Sequence, residues 1–303
     1  MAAPLIAVVG PTAAGKSDLG LALARAHGGE IVSCDSLQVY RGLDIGSAKA
    51  TAEERALVPH HLLDVAEPGD VFSAADYAGM ARRAAREIAA RGRPVLVVGG
   101  TGLYLRALLH GLFAGPGRDE ALRRRLEALL DRFGEARLHR VLRRADPAAA
   151  ARLDPKDRVR VVRALEVYFL TGRPLSQHHQ SAPEPLTGFR VAVFVLDPGP
   201  EALRPRVEAR TTRMFQEGLV DEVRGLLARG VSPLARPLSA IGYRQALGVA
   251  QGRLCLEDAI RETVTATMQY GKRQRTWFRH QSGGRWFSDP LPLSSEATAF
   301  LSS

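Results

Sequence analysis

The 303 residues suffice for one large domain or for a core carrying a second lobe, and 46% hydrophobic against 24% charged excludes a disordered chain. No run approaches the roughly 18 apolar residues of a transmembrane helix, and no basic residue precedes the short apolar start, so a cytoplasmic protein without membrane span or signal peptide is expected. Lys plus Arg exceed Asp plus Glu by 42 to 32, and the only lysines are 16, 49, 156 and 272; this arginine-led excess suits phosphate and nucleic-acid partners, though a genome rich in Arg codons would give the same total.

The first hundred residues alternate strand and helix, the pattern of a parallel sheet wrapped by helices. Leu5–Val9 reads as a buried central strand, Lys16 to about His27 as a helix, Glu30–Ser33 as a second strand and His61–Val65 as a third. Phe72 to Arg91 has helical spacing with Ser73 as its cap, and Pro94–Val98 is a fully apolar strand running into Gly99-Gly100-Thr101-Gly102. From Arg118 to about Leu170 the pattern is helical throughout, with Leu122, Leu126, Leu129, Leu130 and Phe133 as one apolar stripe and arginines crowding the remainder. The sheet resumes at Val191–Leu196. Helices follow around Arg204–Ala228, Ile241–Ala250 and Leu256–Arg279, then a short strand at Arg285–Phe287 and a Ser/Pro-rich tail expected to fray. Cys34 and Cys255 are too few for a disulfide framework or a zinc site and read as small buried hydrophobes.

Gly10-Pro11-Thr12-Ala13-Ala14-Gly15-Lys16-Ser17 satisfies G-x-x-x-x-G-K-[ST] between an apolar strand and a helix, the setting a phosphate loop requires. Its backbone N–H groups and the helix N-terminus attract an anion, Lys16 adds a full charge and the Ser17 hydroxyl can hold Mg²⁺. A di- or triphosphate is therefore expected here, nucleotides such as ATP included. An ordinary NTPase places an Asp after an apolar strand to hold the metal through water; Pro94–Val98 ends in glycines instead, which weakens that reading. The fold class that follows is α/β, a P-loop NTPase-like parallel sheet flanked by helices with an inserted all-helical domain, the core being 1–115 and 186–303 and the insertion 116–185. Asp35 falls at the carboxyl end of the second strand, where it is a general base, a metal ligand or a turn cap.

The stretch Asp35-Ser36-Leu37-Gln38-Val39-Tyr40-Arg41-Gly42-Leu43-Asp44-Ile45-Gly46-Ser47-Ala48-Lys49 closely resembles the signature of the tRNA dimethylallyltransferase (tRNA isopentenyltransferase) family, bacterial in type. So do the Gly-Pro-Thr form of the phosphate loop, Val98–Tyr104, Arg163–Val167, Ile241–Gln245 and Lys272–Arg279, in the family's order. Ala50 and Pro205 depart from it, where Pro and an aromatic are usual. The resemblance implies transfer of a dimethylallyl group from dimethylallyl diphosphate to N6 of the adenosine 3′ of the tRNA anticodon, with Mg²⁺. Asp35 would be the general base and Thr101 a second contact to the base, its hydroxyl also capping the next helix. Residues 12 to 17 and Arg210 would hold the diphosphate, with Arg206 a weaker candidate. Implied tRNA contacts, on the anticodon stem-loop, are Asp35, Ser36, Leu37, Gln38, Thr101, Arg123, Asp157, Arg158, Arg160, Arg163, Gly242, Tyr243, Arg244, Lys272, Arg273 and Arg279. Trp277 and Phe278 read as core residues. A monomer is expected. The rival readings are a small-molecule or nucleotide kinase, which shares the phosphate loop but needs no basic insertion, and a non-catalytic RNA-binding ATPase.

Overall fold

The computed structural model describes residues 2–113, 115–178 and 185–303. They form two compact units, one of residues 1–109 with 186–303 and one of 110–185.

In the first unit β1 (Ala3–Val9) leads through the phosphate loop into α1 (Lys16–His27), then β2 (Glu30–Cys34), α2 (Ala52–Leu57), β3 (His60–His61), α3 (Ala74–Ala90), β4 (Val95–Gly99) and α4 (Gly102–His110). The second unit holds α5 (Glu120–Phe133), α6 (Glu135–Ala145), α7 (Pro147–Arg152), α8 (Arg158–Thr171) and α9 (Leu175–His178). The first unit resumes with β5 (Phe189–Leu196), α10 (Pro200–Gln216), α11 (Leu219–Ala228), α12 (Tyr243–Ala250), α13 (Leu256–Gln281), β6 (Arg285–Phe287) and α14 (Pro290–Ser302). All strand pairs are parallel, in the order β3-β2-β4-β1-β5-β6.

The continuous apolar run of β1 follows from its place in the sheet. Leu5, Ala7 and Val9 pack into one cluster and Ile6 and Val8 into another, so successive side chains feed two helical layers. Each Leu, Ile or Val among them, taken fully from water, contributes about 1.5–3 kcal/mol. Thr51 with Glu54 and Ser73 with Asp76 form capping boxes that start α2 and α3. At the amino end of β2 buried Glu30 accepts from Arg91, Arg93 and His61; against the penalty of burial, Arg91 and His61 hold its carboxyl down at about 2.

Several expectations need correction. The third strand stops at His61 because Leu62 and Asp64 adopt left-handed backbone angles, φ 64° and 57°. The helix expected over Arg204–Ala228 is two, interrupted at Gly218 (φ 103°). The C-terminal segment is no frayed tail: Asp289 caps it, Pro290 occupies the first turn, and buried Leu293 and Ala297 pack with Ile6, Val8 and Leu19. Cys34 is buried as expected, but Cys255 is exposed and its Sγ accepts from Asp258 N at the start of α13.

The helical unit has its own core of Leu126, Leu130, Leu138, Leu142, Val161, Val162 and Leu165. The expected stripe on α5 is narrower than its sequence: Leu122, Leu126 and Leu130 form the packed line, whereas Leu129 and Phe133 are 45% and 50% exposed. The helical run is broken at Gly134, at Asp146, which caps α7, and before Asp157, which caps α8. The expected insertion 116–185 passes through 179–184, outside the described residues. In the first unit Leu186 N donates to Leu109 O at 2.9 Å, so the chain leaves and rejoins the core at one point.

Candidate active site

The phosphate loop is wound by backbone angles that ordinary residues avoid. Gly15 at φ 93° starts α1, and Ala13 adopts φ 63° without being glycine. Lys16 is the first residue of α1, only 9% exposed, and its Nζ donates to Pro11 O at 2.6 Å. Burial pushes its ammonium down to about 8, the nearby Arg210 adds to the fall and Asp35 opposes it. Such a cation is stabilised by any anion that enters.

An anion has room to enter. A cleft of about 1070 Å³ is lined by the phosphate loop, Lys16, Ser17, Asp35, Gln38, Tyr270 and one face of α10. That face carries Arg206, Arg210 and Arg213, spaced i, i+4 and i+7, and all three line the cleft. Arg206 Nη1 reaches Ala14 O at 3.5 Å. Burial lowers the guanidinium of Arg210, with Asp35 and Asp18 opposing. Arg213 lies outside the motifs of the sequence, and its helical spacing from Arg210 is the signal that marks it.

Asp35 stands just past β2. Its Oδ1 accepts from Leu37 N at 2.8 Å and from Gln38 N at 3.4 Å, so the turn-cap reading holds for one oxygen. Its Oδ2 has no hydrogen-bond partner among the described residues, so the turn occupies only one of the two carboxylate oxygens. Thr101 links the neighbouring strand end: its N–H donates to Cys34 O at 3.1 Å, and its Oγ1 accepts from Ser36 N at 3.1 Å. The hydroxyl therefore does not cap α4, as the sequence suggested; the helix is started by the Thr101 carbonyl, which accepts from Tyr104 N and Leu105 N. Having accepted from Ser36, the hydroxyl keeps its own proton to donate.

Gln38 is held at both ends of its amide. Ser33 Oγ donates to its Oε1 at 2.8 Å, and its Nε2 donates to Ser47 O at 3.3 Å and Ala48 O at 3.1 Å. The loop it reaches is itself fixed. Glu222 accepts from the backbone of Asp44 and Ile45 at 3.0 and 2.8 Å and from Tyr243 Oη at 2.6 Å. Lys49, almost wholly buried, donates to Tyr40 O, Asp44 and Asp64, each at 2.7 Å. Much of the 35–49 signature thus shapes the wall.

The glycine block after β4 and the Lys272–Arg279 block turn out to face each other. A Cβ on Gly100 would lie 2.4 Å from Gln274 Nε2, and one on Gly102 would lie 2.3 Å from the Trp277 ring. Those glycines are seats for α13. Phe278 is 1% exposed and Trp277 packs against the same core, as expected of both.

Known proteins resemble the chain over nearly its whole length. The family model described as IPP transferase matches residues 38–281. The chain belongs to the IPP transferase family. It is 46% identical to a tRNA dimethylallyltransferase of Koribacter versatilis, covering 99% of both chains, and 50% identical to that of Geobacter metallireducens, covering 96% of this chain and 94% of the relative. Among solved structures, the tRNA isopentenylpyrophosphate transferase of Bacillus halodurans is similar with TM-score 0.69 and 37% identity over 99% of this chain and 97% of that one. A eukaryotic dimethylallyltransferase acting on tRNA is similar with TM-score 0.73 and 28% identity over 91% of this chain and 70% of that one.

The other residues that family resemblance marked are distributed unevenly. In the helical unit Glu166, fully buried, is gripped by Arg163 at 2.7 Å and Arg123 at 3.3 Å, and accepts from Asp119 N. Arg158 pairs with Glu135 and Asp131, and Arg160 with Asp157, all at the surface. In the first unit Tyr243 is fully buried beneath the 44–46 loop, and Gly242 N donates to Gln245 Oε1. Arg244, Lys272, Arg273 and Arg279 are exposed, Arg273 lying over the Tyr270 ring and Arg279 over Trp286.

Proposed function

We propose that the cleft carries out dimethylallyl transfer from dimethylallyl diphosphate to N6 of the adenosine 3′ of the anticodon in tRNA. The observation that carries this reading is one cleft in which a phosphate loop with three added arginines lies beside Asp35, with Thr101 next in the chain to the cleft-lining Gly100 and bonded to Ser36 N. The N6–carbon bond forms as the bond from that carbon to the diphosphate oxygen breaks. The N6 proton passes to the Asp35 carboxylate, and diphosphate leaves with the bonding electrons. Adenine N6 is a weak nucleophile because its lone pair is delocalised into the ring, so removal of its proton matters.

Lys16, Arg210 and the loop N–H groups stabilise the charge growing on the leaving diphosphate, and such preorganised donors are worth about 3 kcal/mol each in a transition state. Mg²⁺ fits the donor set: the Ser17 hydroxyl lies on the cleft wall at the start of α1, and this ion takes one or two protein ligands together with phosphate oxygens and water. When bound there it supplies further neutralisation of the diphosphate. Thr101, able to donate its hydroxyl proton, complements the acceptor edge of the same adenine, while Asp35 takes the donor. The anticodon stem-loop must present that base unstacked, with the exposed Arg244, Lys272, Arg273 and Arg279 of the first unit available to its phosphates.

The test is to incubate the protein with tRNA and either dimethylallyl diphosphate or ATP. Prenylated adenosine should form only with the former, and Lys16→Ala should abolish it while tRNA binding persists. Phosphoryl transfer from ATP without prenylation would make the protein a kinase.

A further inference from the structure

We propose that Gln274 is a positioning residue for the transfer, setting the phosphate loop against the Gly100–Thr101 end of β4 through the two ends of one buried amide. The inference rests on the prenyl-transfer reading of the cleft. Gln274 is 6% exposed, its Oε1 accepts from Thr12 N at 3.0 Å, and its Nε2 donates to Gly100 O at 2.8 Å. Thr12 and Gly100 lie just beyond β1 and β4, which pair with Val9 opposite Gly99. The next residue, Arg275, donates from Nε to Asp197 Oδ2 at 2.7 Å, and Asp197 lies just past β5. Two consecutive residues of α13 therefore pin the ends of three adjacent strands.

Two consequences follow for the chemistry. Thr12 N–H, which the loop motif offers to phosphate, is already committed to Gln274, so the donors aimed at the diphosphate begin at residue 13. The phosphate loop also cannot shift without moving Gly100 and its neighbour Thr101. Donor and acceptor substrates are held on those two segments, and attack needs the reacting atoms about 3–3.5 Å apart, where a misplacement of about 1 Å costs up to roughly 100-fold. Fixing the relative place of the two segments is the work of one amide that has both an acceptor and a donor end. Gly100 has no side chain because Gln274 Nε2 occupies the space a Cβ would take.

Gln274→Met keeps the length and burial of the side chain and removes both hydrogen bonds. Its single-turnover rate at saturating dimethylallyl diphosphate and tRNA should fall about 10- to 100-fold. Its affinity for inorganic pyrophosphate should stay within about threefold of wild type or tighten, because Thr12 N–H becomes free to meet an anion. Gln274→Glu supplies a second, independent readout should the first variant fold poorly. Protonated, the new carboxyl both accepts from Thr12 and donates to Gly100 O; ionised, it sets an acceptor against that carbonyl. Its rate relative to wild type at the same pH should therefore recover as pH is lowered. Folded variants that transfer within about threefold of wild type at every pH, or that lose rate only in proportion to pyrophosphate affinity, would overturn the proposal. A wild type that binds pyrophosphate but prenylates no tRNA would instead defeat the reading of the cleft on which it rests.

Discussion

In the cleft, Lys16, Arg206, Arg210 and Arg213 meet no carboxylate at ion-pair distance among the described residues, whereas in the helical unit Arg123 and Arg163 close on Glu166, Arg158 on Glu135 and Asp131, and Arg160 on Asp157. Both regions are rich in arginine, and the sequence alone ranks them alike. Their energetics differ. Lys16 and Arg210 are desolvated, whereas Arg206 and Arg213 are exposed, and a buried cation without a counter-charge is costly and persists where a ligand is to provide the anion. A buried carboxylate gripped by two guanidiniums is already satisfied and serves the fold. Arginine count therefore says less about recognition than the number of arginines left without a partner.

The sharpest way to break this contrast is at Asp35. Asp35→Asn keeps the Oδ1 acceptor that fixes Leu37 and Gln38, so the turn survives and only the second oxygen changes character. The single-turnover transfer rate should drop roughly 10²–10⁴-fold with both substrates binding within several-fold of wild type. A rate near wild type would reduce Asp35 to a turn residue, and loss of Mg²⁺-dependent donor binding would make it a metal ligand. Next in size is Glu166→Ala, which leaves Arg123, Arg163 and Asp119 N without their shared acceptor. Denaturation should show a loss of about 3 kcal/mol, confined to the helical unit, with pyrophosphate binding by the core unchanged. If stability holds, the pairing is no structural keystone and those arginines return to the pool available for RNA.

Titration separates the regions more finely. Lys16 in the free protein loses its proton near pH 8, well below the usual 10.5, and a bound diphosphate favours the charged form. The Lys16 contribution to pyrophosphate binding above pH 8 must then take up a proton, so calorimetric affinity, once the ligand's own ionisations are taken into account, should fall by up to about tenfold per pH unit there and be flat below it. The same titration of Lys16→Met should lack this limb; its persistence would assign the proton elsewhere. The smallest effect belongs to the exposed pair Arg158 and Arg160. Neutralising both should reduce the slope of log affinity for tRNA against log salt by about 0.7 to 0.9 for each phosphate that the protein no longer neutralises. An unaltered slope would mark them as solvated surface.

The phosphate loop and Asp35 were legible because their chemistry is local: a helix start after an apolar strand, and a carboxylate at a strand end. The function of Gln274 was not, since it depends on a partner 174 residues away and a Gln on a long helix carries no signal of where its amide points. Tyr243 was marked for RNA because its block belongs to the family signature, yet burial under Glu222 and the 44–46 loop gives it a packing task. For Thr101 a hydroxyl before a helix suggests a cap, and only the neighbouring strand end supplies the competing Ser36 N–H that takes it instead. The C-terminal helix was hidden by Ser and Pro content that disfavours isolated helices, and packing of Leu293 and Ala297 overrides it.

The meeting of Leu109 and Leu186 bears on how the molecule is made. On the ribosome the N-terminal half emerges first, and β1 can pair with β4 as soon as residue 99 is free. Its other edge stays open until β5 arrives, because the whole helical unit must be synthesised in between. That open edge belongs to a strand with no polar side chain from Leu5 to Val9, the kind of surface on which nascent chains aggregate. The helical unit, built from contacts close in sequence and holding its own core, can form during the wait. Because closing a chain excursion costs free energy only logarithmically in its length, the delay is kinetic. A shorter excursion at this neck would expose the nascent edge for less time, and a longer one for more, with the finished core left the same.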